Sequence, residues 1–144
     1  MSLYEFPKDV FPKSYEEMYD IVINELKQYE NSTFGMVIGK VTDNNPEIMD
    51  DNLHALHIHS VRIGEEKEMI MIDLSSFQPA IDRLMSINDE NYAHGFLHDF
   101  TLRLIDEVLD EVFAINNYED SFGATLEHDR ALRKGILNKH YLEY

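Results

Sequence analysis

The stretch Asn88 to Ile115 constrains the fold more than any other, because it carries the longest run of helical apolar periodicity. On a helical wheel its acidic side chains fall in one sector and its aliphatic side chains fall opposite. That split is typical of an amphipathic helix with one buried side. Asn88 is a favourable N-cap, and Asn116 followed by Asn117 provides a stop. We therefore expect one long helix over Asn88–Ile115.

Upstream of this helix, the pattern predicts one helix and three strands. A capping box at Ser14 and Glu17 opens a helix that runs to Tyr29. Strands are expected at three apolar segments: Thr33–Val41, Leu53–Ile63 and Glu68–Leu74. A loop over Thr42–Asn52 separates the first two, and residues 64–67 form a tight turn between the last two. Sequential strands with short connections favour an antiparallel meander.

The remaining segments are short. Residues 1–13 are predicted to be an extended arm that lies against the body or against another subunit. Short helices are expected at 75–86 and, capped by Thr125, at Leu126–Lys134. Gly135 ends the last helix, and the apolar tail 136–144 is expected to be docked.

The predicted fold is thus a single α+β domain over residues 1–144, with the order α-β-β-β-α-α-α. A three-stranded antiparallel meander sheet is packed by an N-terminal helix and one long amphipathic helix, with further short helices at the C-terminus. The length suits one domain, and a hydrophobic content of 44% supports a core. The chain has no cysteine, which excludes disulfides and thiolate metal sites. It has no run of eighteen apolar residues and no signal peptide, so we expect a soluble, cytoplasmic protein.

The formal net charge of −16 excludes some classes of partner. Phosphate binding depends on Lys and Arg, so we expect neither direct nucleic-acid binding nor binding to an anionic membrane. An acidic surface suits a basic protein partner. The plainer alternative is that the acidity serves solubility.

Two histidine pairs form the one candidate metal site. His94 and His98 lie four apart on the long helix, and His57 and His59 share a face of the predicted second strand. Four imidazoles, or three with a water, could hold zinc, iron or nickel. The alternative is that these are structural histidines, each bonded to a carbonyl or a carboxylate.

We therefore expect a non-catalytic protein-interaction module of the inhibitor, immunity or nucleic-acid-mimic type, with no cofactor and no assigned catalytic residue. One alternative is a metal-binding protein or metal-dependent hydrolase that uses His57, His59, His94 and His98. A second is an acidic dimeric chaperone or assembly factor. We expect a homodimer, because the arm, the tail and the apolar face of the long helix exceed what one small sheet would cover.

Overall fold

The structure is a computed structural model that describes residues 1–88 and 92–144. It contains five strands: β1 Leu3–Tyr4, β2 Phe34–Ile38, β3 Ile70–Ile72, β4 Glu111–Ile115 and β5 Leu137–Leu142. They form one sheet in the order β1-β3-β2-β4-β5, and every neighbouring pair is parallel. The fold is therefore α/β.

Helices connect these strands. They are α1 Tyr15–Leu26, α2 Pro46–Lys67, α3 Gln78–Asn88, a π-helical segment Tyr92–Thr101, α4 Leu102–Glu107 and α5 Phe122–Lys134. Single turns of 3-10 helix lie at Lys27–Tyr29, Leu74–Phe77 and Tyr118–Asp120. Parallel neighbours need crossover connections of this kind, usually helical. The predicted antiparallel meander is therefore wrong.

The strand predicted at Leu53–Ile63 is also wrong, since these residues lie inside α2. Helix α2 begins in the middle of the predicted loop. The side chain of Asn45 accepts a hydrogen bond from the Glu47 N–H, and Pro46 occupies the first turn, where its missing N–H costs little. The helix ends at Glu68, which adopts the left-handed conformation with φ 54°.

The predicted long helix ends early. Its predicted start includes residues 89–91, which lie outside the described residues. Helix α4 stops at Glu107, and Asp110 then exchanges two hydrogen bonds of 2.8 Å with the Phe34 backbone, which holds the start of β4 beside β2. Four consecutive residues of β4 are buried, from Val112 to Ile115, as is typical of a central parallel strand.

The two ends of the chain form the edges of the sheet. The predicted arm contributes β1, which pairs with β3, and the predicted docked tail contributes β5, which pairs with β4. Gly64 of α2 allows the arm to pass, because a Cβ there would lie 2.4 Å from the Ser2 carbonyl oxygen. Leu3–Tyr4 and Leu137–Leu142 are therefore both held by pairing within the sheet.

Three predicted helices are confirmed, with somewhat different bounds: the N-terminal helix is α1, the helix expected at 75–86 is α3, and the last helix is α5. Ser14 caps α1 by accepting from the Glu17 N–H at 3.0 Å. Helix α5 is capped by Ser121 and not by Thr125, and it ends at Gly135 with φ 75°, as expected of a C-terminal glycine.

Aromatic side chains from distant segments of the chain pack together in the core. Phe77 lies 5.0 Å from Phe6 and 4.8 Å from Phe100 between ring centroids, and Phe96 stacks on Phe100. The apolar face of the predicted long helix is therefore buried within the chain itself. Of the other surfaces that suggested a homodimer, Phe11 in the arm and Tyr141 and Tyr144 in the tail remain 43–59% exposed. None of the helices in the described ranges combines the length and hydropathy needed to cross a bilayer.

Candidate functional site

The carboxyl edge of the sheet has a point where the chain path reverses. Strand β3 follows β2 on one side, and β4 lies on the other side of β2. The loops after β2 and β4 therefore diverge and leave a crevice between them. In open α/β sheets, such a switch point is the usual place for a ligand.

A cavity of about 550 Å3 occupies this crevice. Residues after three strands line it, including Gly39 after β2, Leu74 after β3 and Ser121 after β4. Helices close its sides, with Leu53 from α2, Ile81 and Met85 from α3, and Phe96 and Leu97 from the π-helical segment. This volume lies in the range of small-molecule sites, and the wall is mainly apolar.

Glu127 of α5 is the buried charged group of this wall. The residue is 7% exposed, and burial raises the pKa of its carboxyl to about 7, while a hydrogen bond from Thr101 opposes that rise. The carboxyl therefore changes charge near neutral pH, where an ordinary glutamate is ionised. Inside an apolar cavity it can donate a hydrogen bond when protonated or bind a cation when ionised.

The π-helical segment places Thr101 next to Glu127. Thr101 is buried, and its hydroxyl oxygen also lies 3.4 Å from the Leu97 carbonyl oxygen, so its single proton can be donated either to that carbonyl or to Glu127. A π-helix is rare, and its wider turn changes which side chains point to one side. Here it supplies two cavity residues and the polar partner of the carboxyl within ten residues.

A second group of polar side chains lies at the same edge of the sheet. Glu5, His57 and Asp73 each offer a ligand atom, and these atoms lie within 4.8 Å of one another. The register pairs Tyr4 with Ile72, so Glu5 and Asp73 are the first residues beyond two adjacent parallel strands. His57 reaches them from α2, one turn after the cavity residue Leu53.

Asp73 is held firmly in this group. It is 0% exposed, and its Oδ2 lies 2.6 Å from Nδ1 of His57. Its Oδ1 accepts from the Ser75 backbone N–H at 3.0 Å and from the Ser75 hydroxyl at 2.6 Å. Both oxygens are thus oriented, one of them toward the imidazole.

The structure does not bring the four predicted histidines together. His59 is buried on α2, where its Nε2 lies 2.8 Å from the Glu143 carbonyl and its Nδ1 lies 2.8 Å from the Arg62 guanidinium. His94 and His98 are exposed, with ring centroids 5.0 Å apart. Within residues 1–88 and 92–144, Glu5, His57 and Asp73 form the only close set of three histidine or acidic side chains. The His57/His59 pairing rested on a strand that is in fact a helix.

Sequence reasoning missed Glu5, Asp73, Thr101 and Glu127. Two of them carried a usable signal. Asp73 directly follows the apolar run Met69–Ile72, which is the position of a polar residue at the carboxyl end of a buried strand. Glu127 lies three residues after Ala124 and four before Ala131, on the buried stripe of α5.

The chain matches no protein-family model, and comparisons with curated proteins and with solved structures find no significant match. The geometry of the carboxyl edge is therefore the basis for a function.

Proposed function

We propose that this chain is a small-molecule-binding domain whose cavity takes a ligand with an apolar body and a basic amine. The observation that carries the proposal is the buried carboxyl of Glu127 in a mainly apolar cavity at the switch point of the sheet. An ammonium group would pair with the ionised carboxyl, and the apolar body would replace water along the side chains of the wall. Binding, and not catalysis, is proposed.

The charges around the cavity support a cation. Among the described residues that line it, the charged ones are Asp120 and Glu127, and none is Lys, Arg or His. The nearby Lys40 is engaged with Asp43 at 3.3 Å. A net charge of −16 also raises the local concentration of cations and lowers that of anions.

Phe122 supports an apolar body on the ligand. It lines the cavity yet is 73% exposed, which places its ring at the mouth. A bound ligand would cover part of this ring, and an ammonium within about 6 Å of its face would gain a cation–π contact.

The test is binding of three ligands that share one skeleton: benzylamine, benzyl alcohol and benzoate. Binding is followed through amide shifts of the cavity residues in NMR titrations. We expect the amine to bind best and benzoate worst. Glu127→Gln should weaken the amine about tenfold or more, because a hydrogen bond to a charged group is worth about 1.5–3 kcal/mol. The affinity for benzyl alcohol should change little in this variant.

Two further variants complete the design. Phe122→Ala should weaken the amine and the alcohol alike, since it removes shared apolar contact. Glu65→Gln makes the same chemical change as Glu127→Gln on the exposed surface of α2 and should leave all three ligands unchanged. The proposal would be refuted if benzoate bound as tightly as benzylamine. It would also be refuted if Glu127→Gln left the affinity for benzylamine unchanged.

The interaction module expected from the sequence is kept as a second candidate, and the outer surface of α2 favours it. Five acidic side chains are exposed there: Glu47, Asp50, Asp51, Glu65 and Glu66. A basic protein partner bound through them would dissociate with rising salt. A complex with a basic partner that stays intact at high salt would count against this candidate.

Four other expectations stay predictions: the cytoplasmic location, the chaperone role, the homodimer and the metal site built on four histidines. Sedimentation of the untagged chain across micromolar concentrations tests the homodimer, and a monomeric mass throughout would contradict it.

A further inference from the structure

We propose that Glu5, His57 and Asp73 bind one divalent transition-metal ion, with zinc as the first choice. This site is separate from the cavity proposed to bind an amine. Of the four histidines predicted from the sequence as metal ligands, it contains only His57. Imidazole nitrogen and carboxylate oxygen are both common zinc ligands, at about 2.0–2.2 Å. Three protein ligands leave a fourth position for water.

The sheet register builds the site before any ion arrives. Parallel pairing of β1 with β3 sets the two carboxylates side by side, one residue beyond each strand. Helix α2 packs against both strands and supplies the imidazole. Ligands on rigid elements lose little conformational entropy on binding an ion.

Asp73 is preorganised as the central ligand. Ser75 fixes Oδ1 through two hydrogen bonds, and Oδ2 is directed at His57. A ligating carboxylate held by outer hydrogen bonds is the usual arrangement in metal sites. In the proposed site, Ser75 provides these outer hydrogen bonds to Asp73.

The charge of these three side chains also favours a bound cation. Asp73 is fully buried, and in the part of the chain that the structure describes it has no Lys or Arg partner. Its ion-pair partner is His57, which carries a charge only when protonated, and a buried carboxylate beside a neutral partner is costly. Two carboxylates and a neutral imidazole carry a charge of −2, which one divalent ion would neutralise.

One local change accompanies binding. Nδ1 of His57 and Oδ2 of Asp73 now share a hydrogen bond at 2.6 Å. If one zinc ion binds both atoms, it replaces the shared proton, and the atoms separate to roughly 3.3 Å in tetrahedral geometry. The His57 side chain is 36% exposed, so its ring has room to move.

The experiment uses the full chain without a histidine tag, stripped with a chelator and then titrated with Zn2+ against a chromophoric competitor. Co2+ serves as a spectroscopic substitute, since its visible absorption reports ligation. We expect one saturable ion per chain. Glu5→Gln and His57→Ala should each weaken Zn2+ by at least about 10- to 100-fold, the effect seen for outer-shell partners.

The controls separate this site from other histidines and from a purely structural His57–Asp73 hydrogen bond. Glu5 is exposed, so Glu5→Gln should keep the fold and remains informative where His57→Ala reduces stability. His54→Ala, on the exposed side of the same helix, should leave Zn2+ binding unchanged. The absence of a saturable site overturns the proposal, as does a site that either Glu5→Gln or His57→Ala leaves intact. Loss of the site in His98→Ala overturns it too.

Discussion

At the scale of single residues, two buried carboxyl groups lie at one edge of the sheet in different surroundings. Asp73 accepts hydrogen bonds from Ser75 and faces His57. Glu127 lies in an apolar wall with Thr101 as its polar partner. The hydrogen bonds hold both oxygens of Asp73 in place, whereas burial in the apolar wall lets Glu127 change its charge near neutral pH.

The raised pKa of Glu127 predicts a pH-dependent stability. In the folded chain the pKa is about 7 and in the unfolded chain it is 4.5, so between these values the folded state holds the extra proton. Stability from this group is therefore present below pH 4.5 and lost as pH rises through 7. The gap corresponds to about 3 kcal/mol.

Glu127→Gln should remove this dependence. Urea unfolding at pH 5 and pH 8 gives the free energy of unfolding of each protein. Relative to the wild type, the free energy of unfolding of the variant should be higher at pH 8 than at pH 5. The other acids titrate equally in both proteins, so only the difference between the two is compared. An equal difference at both pH values would show that Glu127 titrates normally.

Residue identity alone pointed to four histidines, and one of them, His57, lies in the group with Glu5 and Asp73. His57 faces Asp73 and Glu5, whereas His59 is bonded to Glu143. Neighbours decide the chemistry of an imidazole, and those neighbours come from strands more than ten residues away. A single sequence does not contain that pairing.

At the scale of elements, α2 was misread because polar and small residues interrupt the apolar residues of its buried stripe. Asn52, Leu56, Ser60 and Gly64 recur every four residues and are buried. Apolar periodicity does not detect such a stripe. The alternation of His57, His59, Val61 and Ile63 imitated a strand instead.

Strand β4 was missed for the opposite reason. Leu109, Val112 and Ile115 continue the helical spacing of α4, so the apolar pattern runs on past the true end of the helix. The unbroken apolar run from Val112 to Ile115 was the better signal in the sequence. Central parallel strands are covered on both faces, and all four of these residues are buried.

The contact between α2 and the arm predicts the effect of Gly64→Ala. The new Cβ would lie 2.4 Å from the Ser2 carbonyl oxygen, a backbone atom that cannot rotate away. We expect β1 to be displaced and the free energy of unfolding to fall by about 1–3 kcal/mol, as for overpacking elsewhere.

Gly123→Ala is the matched control. Nothing lies within 4 Å of a Cβ at Gly123 in the first turn of α5, so this change should be neutral or slightly stabilising. Urea unfolding compares the two variants. Equal stability of both would mean that β1 contributes little to the fold.

At the scale of the whole molecule, the first helix and the apolar segments around β2 and β3 could be predicted, but their arrangement could not. Local patterns report burial and period. Whether neighbouring strands run parallel depends on what connects them, and here the decisive connection was α2. Reading that helix as a strand turned a crossover into a hairpin and changed the fold class.

The charge of the whole chain predicts a response to salt. With a net charge of −16, repulsion between carboxylates opposes the compact state. Raising ionic strength from about 0.01 M to 0.15 M shortens the Debye length from about 30 Å to 8 Å. We expect Tm to rise by a few degrees in calorimetry. A constant or falling Tm would mean that attractive ion pairs balance the repulsion.

The strand order also has a consequence for synthesis on the ribosome. Strand β2 is made early, but its neighbours arrive only with Ile70–Ile72 and Glu111–Ile115. At about 5–20 residues per second, one edge of this buried strand stays unpaired for about 4–15 s after it is made. Open apolar edges invite pairing with other chains. The nascent chain is therefore most prone to aggregation between the translation of Ile38 and that of Ile115, and slow codons within this interval would lengthen the exposure.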